Sequence, residues 1–238
     1  MIYIGCCGWG YLERPKESSG VYKSILAYYS SIFNTVEVNS TFYKVPRFST
    51  STRWKKEARE VNSDFIFTIK VSRIITHLDR FSSDKSLELI RFYIDFAKEL
   101  ESPIILFQLS KGFPSKNMEN IKEMFDLCQD PTVRFALEAR NLEFAERNEF
   151  AKESMSIPVI DPFLLMKENL KPIPMFNTYY FRLHGSPPGR VIYQYDYSDE
   201  DLRELLLYIE PLKDYNVYVF FNNTKMYKNA MRFQEMVS

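Results

Sequence analysis

Glycine is scarce, with seven in 238 residues, and neither G-x-G-x-x-G nor a Walker pattern occurs. That excludes the usual glycine-rich phosphate loops. Cysteine is limited to Cys6, Cys7 and Cys128. An odd count with two adjacent members gives no disulfide framework and no Cys-x-x-Cys metal spacing, so small buried side chains are expected, with Cys6 and Cys7 the pair to inspect for function. Neither sign of charge prevails, since 31 basic residues balance 31 acidic ones. This argues against a surface coated for non-specific nucleic-acid or membrane binding, while leaving room for a local basic pocket. No stretch approaches the roughly 20 apolar residues that span a bilayer. The opening MIYIGCCGWGY lacks a basic segment followed by a long apolar run. No signal peptide is therefore expected, and the cytoplasm is the expected location. Histidine is nearly absent: His77 and His184 are the only two.

What is present is apolar material, 45% of the chain, in short recurrent runs. Ile2–Ile4, Thr35–Val38, Phe65–Val71, Ile104–Leu109, Val133–Glu138, Ile157–Ile160, Thr178–Leu183 and Val217–Phe221 read as strands. Between them lie helical patterns over Val21–Phe33, Ser49–Val61, Asp84–Leu100, Met118–Cys128, Leu142–Glu153, Ser198–Tyr208 and Tyr227–Met236. Ser198, followed by acidic residues, reads as an N-cap. Asn39–Tyr43 and Ser72–His77 are expected as loop, Pro162–Pro174 as irregular, and the segment after Gly185 as a Tyr-rich loop. Strands with little alternation suit a parallel sheet buried on both faces. An open doubly wound sheet is the rival fold. Eight βα units, nearly all with a polar strand end, favour a single (β/α)₈ TIM barrel over residues 1–238, with some helices short or irregular.

In such a barrel the carboxyl ends of the strands carry the site. Those ends supply the carboxylates Glu37, Glu138 and Asp161 and the cations Lys70, Arg73, Arg140 and Arg182. They also supply His77, His184 and the amides Asn39, Gln108, Asn222 and Asn223. Trp9, Tyr43 and other loop aromatics form a rim or simply pack. Glu37 has a plain structural reading, a buried ion pair with Lys70 or a neighbouring arginine. Three functions fit this set. In the first, an enzyme acts on a phosphate-bearing or other anionic small molecule. Lys70, Arg73, Arg140 and Arg182 bind the anion, with Asn39, Tyr43, Gln108, Asn222 and Trp9 around it. Glu37 or Glu138 serves as base and His184 or His77 as acid, in phosphodiester-type hydrolysis without a required cofactor. In the second, a divalent metal is held by Glu37, Glu138, Asp161 and His184 in a sugar-isomerase-like enzyme or hydrolase, with Asp161 the leading ligand candidate. In the third, the chain binds nucleic acid or a nucleotide without catalysis. No membrane partner is expected.

The segments GCCGWGY, FNTVEVNSTFYKVP, FIFTIKVSRIITH, LFQLS, LEAR, YFRLHG and VYVFFNNT resemble, in order, the signatures of the YecE-like family, domain of unknown function 72. The resemblance spans essentially the whole chain. It implies a TIM barrel of the xylose-isomerase-like kind and no particular reaction. Two departures stand out: Cys6-Cys7 replaces the usual Thr-Ser, and the Ser-Trp that often follows Glu-x-Arg is missing after Arg140. The first argues against a catalytic thiol shared by the family, and the second implies a different wall beside the fifth strand.

Overall fold

Eight parallel strands close into a barrel in sequence order, β1 (Ile2–Cys6), β2 (Thr35–Val38), β3 (Ile66–Lys70), β4 (Ile104–Gln108), β5 (Arg134–Glu138), β6 (Ile157–Ile160), β7 (Thr178–Leu183) and β8 (Asn216–Phe221). The computed structural model describes residues 1–16, 20–166, 172–185 and 193–237. Helices α1 (Ile25–Ser30), α2 (Ser40–Tyr43), α3 (Ser49–Arg59), α4 (Asp84–Leu100), α5 (Met118–Leu127), α6 (Phe144–Glu153), α7 (Pro162–Met166), α8 (Asp199–Ile209) and α9 (Met226–Val237) connect or follow them. The chain gathers into two compact units, residues 1–37, 57–65 and 160–238 in one, 38–56 and 66–159 in the other.

In the first unit, β8 lies between β1 and β7, with Ile4 beside Val219 and Arg182 beside Phe220. Gly5 sits where β1 meets β2, opposite Thr35. A Cβ on Gly5 would come 2.2 Å from the Thr35 carbonyl oxygen, so this position admits no side chain. The buried Tyr29 of α1 binds the same junction. Its hydroxyl accepts from the Cys6 amide (2.7 Å) and donates to the Thr35 carbonyl (2.9 Å). The Tyr29 ring also packs against Phe33 and Phe65.

In the second unit, β3, β4 and β5 pair in order and β6 adds to β5. Its core is phenylalanine-rich: Phe107, Phe125 and Phe135 contact one another, and Phe81 meets the first two. The long helix α4 matches its expected span, Asp84 to Leu100. Ser198 caps α8 in a reciprocal capping box with Asp201, also as expected.

Three segments depart from expectation. Asn39–Tyr43 is not loop: Ser40–Tyr43 forms one helical turn, because the Thr41 hydroxyl lies 2.8 Å from the Val38 carbonyl oxygen and 2.6 Å from that of Lys70. Ser72–His77 is not loop either. Ile74–Asp79 forms a π-helical turn, so His77 sits in a helix. Pro162–Met166 is helical, since Asp161 accepts from the Phe163 amide and the proline suits a first helical position. The rest of the expected irregular stretch is described from 172 onward, and the expected Tyr-rich loop lies outside the described residues over 186–192.

Candidate functional site

The strand ends of the first unit hold a buried carboxylate whose oxygens are filled by donors. Glu37 Oε1 accepts from Arg182 Nη2 (2.8 Å) and from the Cys7 thiol (3.1 Å). Glu37 Oε2 accepts from Arg182 Nε (2.9 Å) and from the Tyr180 hydroxyl (2.8 Å). Tyr180 and Arg182 are two apart on β7, so both point to one face of the strand. The side chains of Glu37 and Arg182 are each 0% exposed, which makes this a two-point guanidinium–carboxylate pair shielded from water. Burial pushes the Cys7 thiol well above its usual range, and the Glu37 carboxylate adds to that. Cys7 is therefore a protonated donor rather than a thiolate nucleophile.

Beyond β6 and β7 the same unit holds Asp161 and His184. Asp161 Oδ1 accepts from the Phe163 amide (3.1 Å) and Oδ2 from the His184 amide (3.0 Å), so it ties the start of α7 to the end of β7. The His184 ring is buried, with Nδ1 3.1 Å from Asn222 Nδ2. With that amide nitrogen donating, the ring proton is on Nε2. Gly185 follows with a positive φ of 77° and donates to the Tyr197 hydroxyl. Asn223 donates to the Tyr195 carbonyl and to Asn229 Oδ1, joining the β8 exit to α9. Trp9 is half-buried in the turn after β1.

The strand ends of the second unit are rich in cations. Lys70, the last residue of β3, is buried, and its ammonium lies 4.0 Å from the Phe42 ring centroid. The His77 ring meets the same phenylalanine at 5.1 Å and 82°. His77 Nδ1 lies 2.8 Å from the Thr76 hydroxyl, which leaves Nε2 as the other ring position. Arg80 Nε donates to the His77 carbonyl (3.1 Å). Burial first, and then the charges of Lys70, Arg140, Arg80 and Arg73, hold His77 below the usual histidine value. Gln108 and Glu138 are register partners at the ends of β4 and β5, and Glu138 pairs with Arg140. Tyr43 is exposed and stands edge-on to Phe42. Asn39 precedes α2 and is half-buried.

The turn carrying His77 is pinned. Arg80 and Phe81 both adopt left-handed backbone, φ 56° and 59°, which is costly for residues with side chains. Asn117 donates to the Arg80 carbonyl and Asn120 to that of Phe81, both at 2.8 Å. Asp79 accepts from the amides of Ser82 and Ser83 and from the hydroxyls of Ser83 and Ser86. Strained backbone and π turns concentrate at functional sites.

The expected residues thus fall into two groups. Glu37 and Arg182 form one with Cys7 and Tyr180, beside which Asp161, His184 and Asn222 are linked. Lys70, Arg73, His77 and Arg140 form the other, with Glu138 and Gln108 adjacent. Sequence reasoning missed Tyr180, Phe42 and Arg80. The i, i+2 spacing of Tyr180 to Arg182 was a usable signal, whereas nothing local marked Phe42 as the ring beneath Lys70. Among the described residues no group of three or more His, Cys, Asp or Glu is placed to hold a metal ion. A separate cleft of about 270 Å³, bounded by Ser40, Lys44, Arg47 and Trp54 among others, is lined by none of the expected site residues.

The family model described as a protein of unknown function, DUF72, matches residues 3–238. The chain belongs to the DUF72 family. A relative in Bacillus subtilis, the UPF0759 protein YunF, is 27% identical over 94% of this chain and 89% of its own length. The crystal structure of a DUF72 protein from Thermotoga maritima superposes with a TM-score of 0.73 at 25% identity, over 100% of this chain and 99% of that one. D-psicose 3-epimerase from Clostridium cellulolyticum H10 reaches a TM-score of 0.56 at 12% identity, over 98% and 95%. That last likeness is one of fold. Among the described residues, no helix is long and apolar enough to cross a membrane.

Proposed function

We propose that this DUF72 barrel is an enzyme acting on a phosphate-bearing or other anionic small molecule, bound at the ends of β3, β4 and β5. One observation carries the reading: the Lys70 ammonium and the His77 imidazole meet the same Phe42 ring, at 4.0 Å and 5.1 Å from its centroid, with Arg80 bonded to the His77 carbonyl, Arg73 at the start of that turn and Arg140 just past β5. Such convergence of positive charge suits a bound anion, which would form charge-assisted hydrogen bonds there. The reaction class that fits is phosphodiester-type hydrolysis. Water adds to phosphorus with its proton taken by Glu138, the ester P–O bond breaks, and His77 gives a proton to the departing oxygen. Lys70 and Arg140 offset the charge that develops on phosphorus oxygens. Arg73, Gln108, Asn39 and Tyr43 surround the substrate in this reading. Glu37 serves as a structural anchor, because Arg182, Tyr180 and Cys7 already occupy its oxygens.

Thermal-shift screening with phosphate monoesters, phosphodiesters and neutral sugars tests this. A ligand that binds only the folded chain at 100 times its Kd adds about 2.7 kcal/mol. Phosphorylated compounds should raise the Tm and neutral sugars should not, and Lys70→Ala and Arg140→Ala should each abolish the shift. Hydrolysis of a chromogenic phosphodiester should drop at least about 100-fold in His77→Ala. Stabilisation by neutral sugars with an added divalent metal would overturn this reading in favour of the isomerase-like one. Salt-dependent oligonucleotide binding without turnover would favour the non-catalytic one.

A further inference from the structure

We propose that capture of the anion by Lys70, Arg73 and Arg140 is coupled to uptake of one proton from solvent at His77, so that the imidazole becomes an acid only once the anion is in place. The inference rests on the anion-binding reading above and adds to it a proton. Its basis is geometric. Lys70 and His77 share the Phe42 ring, at 4.0 Å and 5.1 Å from its centroid. Arg80 is bonded to the His77 carbonyl, and Arg140 stands two residues past the end of β5, where it bonds Glu138. The backbone at the end of the His77 turn is braced by Asn117, Asn120 and Asp79, and the ring itself is held at Nδ1 beside the Thr76 hydroxyl, 2.8 Å away.

The charged groups around His77 are Lys70 from β3, Arg73 and Arg80 from either end of its own turn, and Arg140 beyond β5. Glu138 faces Arg140, and Asp79 is held by serines. Without an anion, partial burial first and then like charge disfavour the imidazolium. A bound anion offsets the like charge and adds an attractive one, which favours the imidazolium. The proton affinity of His77 is then higher in the complex than in the free chain. Reciprocity requires that the anion bind more tightly as pH falls between those two values, by at most about tenfold per pH unit for one proton. The chemical consequence is that a general acid is charged in the complex at a pH where the free protein holds it neutral.

Sulfate is a suitable probe because it remains a dianion from pH 5.5 to 7.5. Calorimetric titration of the full chain, in two buffers of different ionisation enthalpy, reports affinity and proton uptake together. The wild type should bind sulfate several-fold more tightly at pH 5.5 than at 7.5 and take up a fraction of a proton at intermediate pH. His77→Gln should bind with a pH-independent affinity and no uptake, while His184→Gln should retain the wild-type pH dependence. Flat wild-type affinity, or a pH dependence that survives in His77→Gln or disappears in His184→Gln, overturns the coupling and leaves the anion site standing. Absence of sulfate binding to the wild type at every pH overturns the anion site and the coupling together. Thermal melts of each variant confirm that the compared proteins are folded.

Discussion

At the scale of single residues, the Glu37–Arg182 pair is a contact on which the first unit depends, because neither charge reaches water. Both partners are fully buried, so removing one leaves an uncompensated charge. Such losses cost roughly 3–5 kcal/mol. Glu37→Gln and Arg182→Met should each lower the Tm by about 6 °C or more, given about 2–4 °C per kcal/mol for a chain of this size. The double variant Glu37→Leu/Arg182→Met should cost less than the sum of the single losses, because no buried charge remains. Chemical denaturation of all three checks both statements. A cost equal to the sum would show that the two side chains act independently. Cys7→Ser should be milder, since a hydroxyl can still donate to Glu37.

At the scale of elements, two junctions depend on particular residues. The β1–β2 seam needs Gly5, and Gly5→Ala should destabilise strongly because its methyl would meet the Thr35 carbonyl backbone. Tyr29→Phe removes one hydroxyl serving two buried backbone groups, for about 1–3 kcal/mol. The π turn of Ile74–Asp79 depends on side chains from another segment. Asn117→Ala withdraws the donor to the Arg80 carbonyl and should speed hydrogen exchange in residues 74–82 before it changes the Tm by more than a few degrees. Unchanged exchange there would mean that Asn120, Asp79 and its serines suffice to hold the turn. These elements also mark the limit of local reading. The helix over Asp84–Leu100 and the Ser198 cap were legible because periodicity and capping are local. The turns at Ser40–Tyr43 and Ile74–Asp79 were not, because their bonds reach Lys70 and Asn117, 29 and 37 positions away.

At the scale of the whole molecule, the pH dependence of stability has a defined sign. His77 has a lower proton affinity folded than unfolded, so the unfolded chain binds more protons as pH falls. The contribution of neutral His77 to stability is complete above the ordinary histidine value of about 6.5. It is lost as the pH drops through the depressed folded value. His77→Gln should therefore show a shallower loss of stability on acidification through this range. Urea melts at stepped pH values measure it, and identical slopes in variant and wild type would contradict the electrostatic account of this site.

Sequence alone determined the number, order and parallel character of the βα units. Each strand and the longer helices are announced by local patterns, and eight such units suit barrel closure. It also singled out Glu37, His77, Glu138 and Arg182 as polar groups at strand ends. Only the tertiary structure decided the pairing among them. Glu37 and Arg182 are 145 positions apart, and which cation meets which acid follows from register and burial. The same holds for His77: the sequence places it after a strand, but its proton affinity is lowered by burial first and then by charges from three different segments. Local patterns specify elements because backbone geometry is local. Site chemistry depends on distances between elements, and those exist only once the chain has folded.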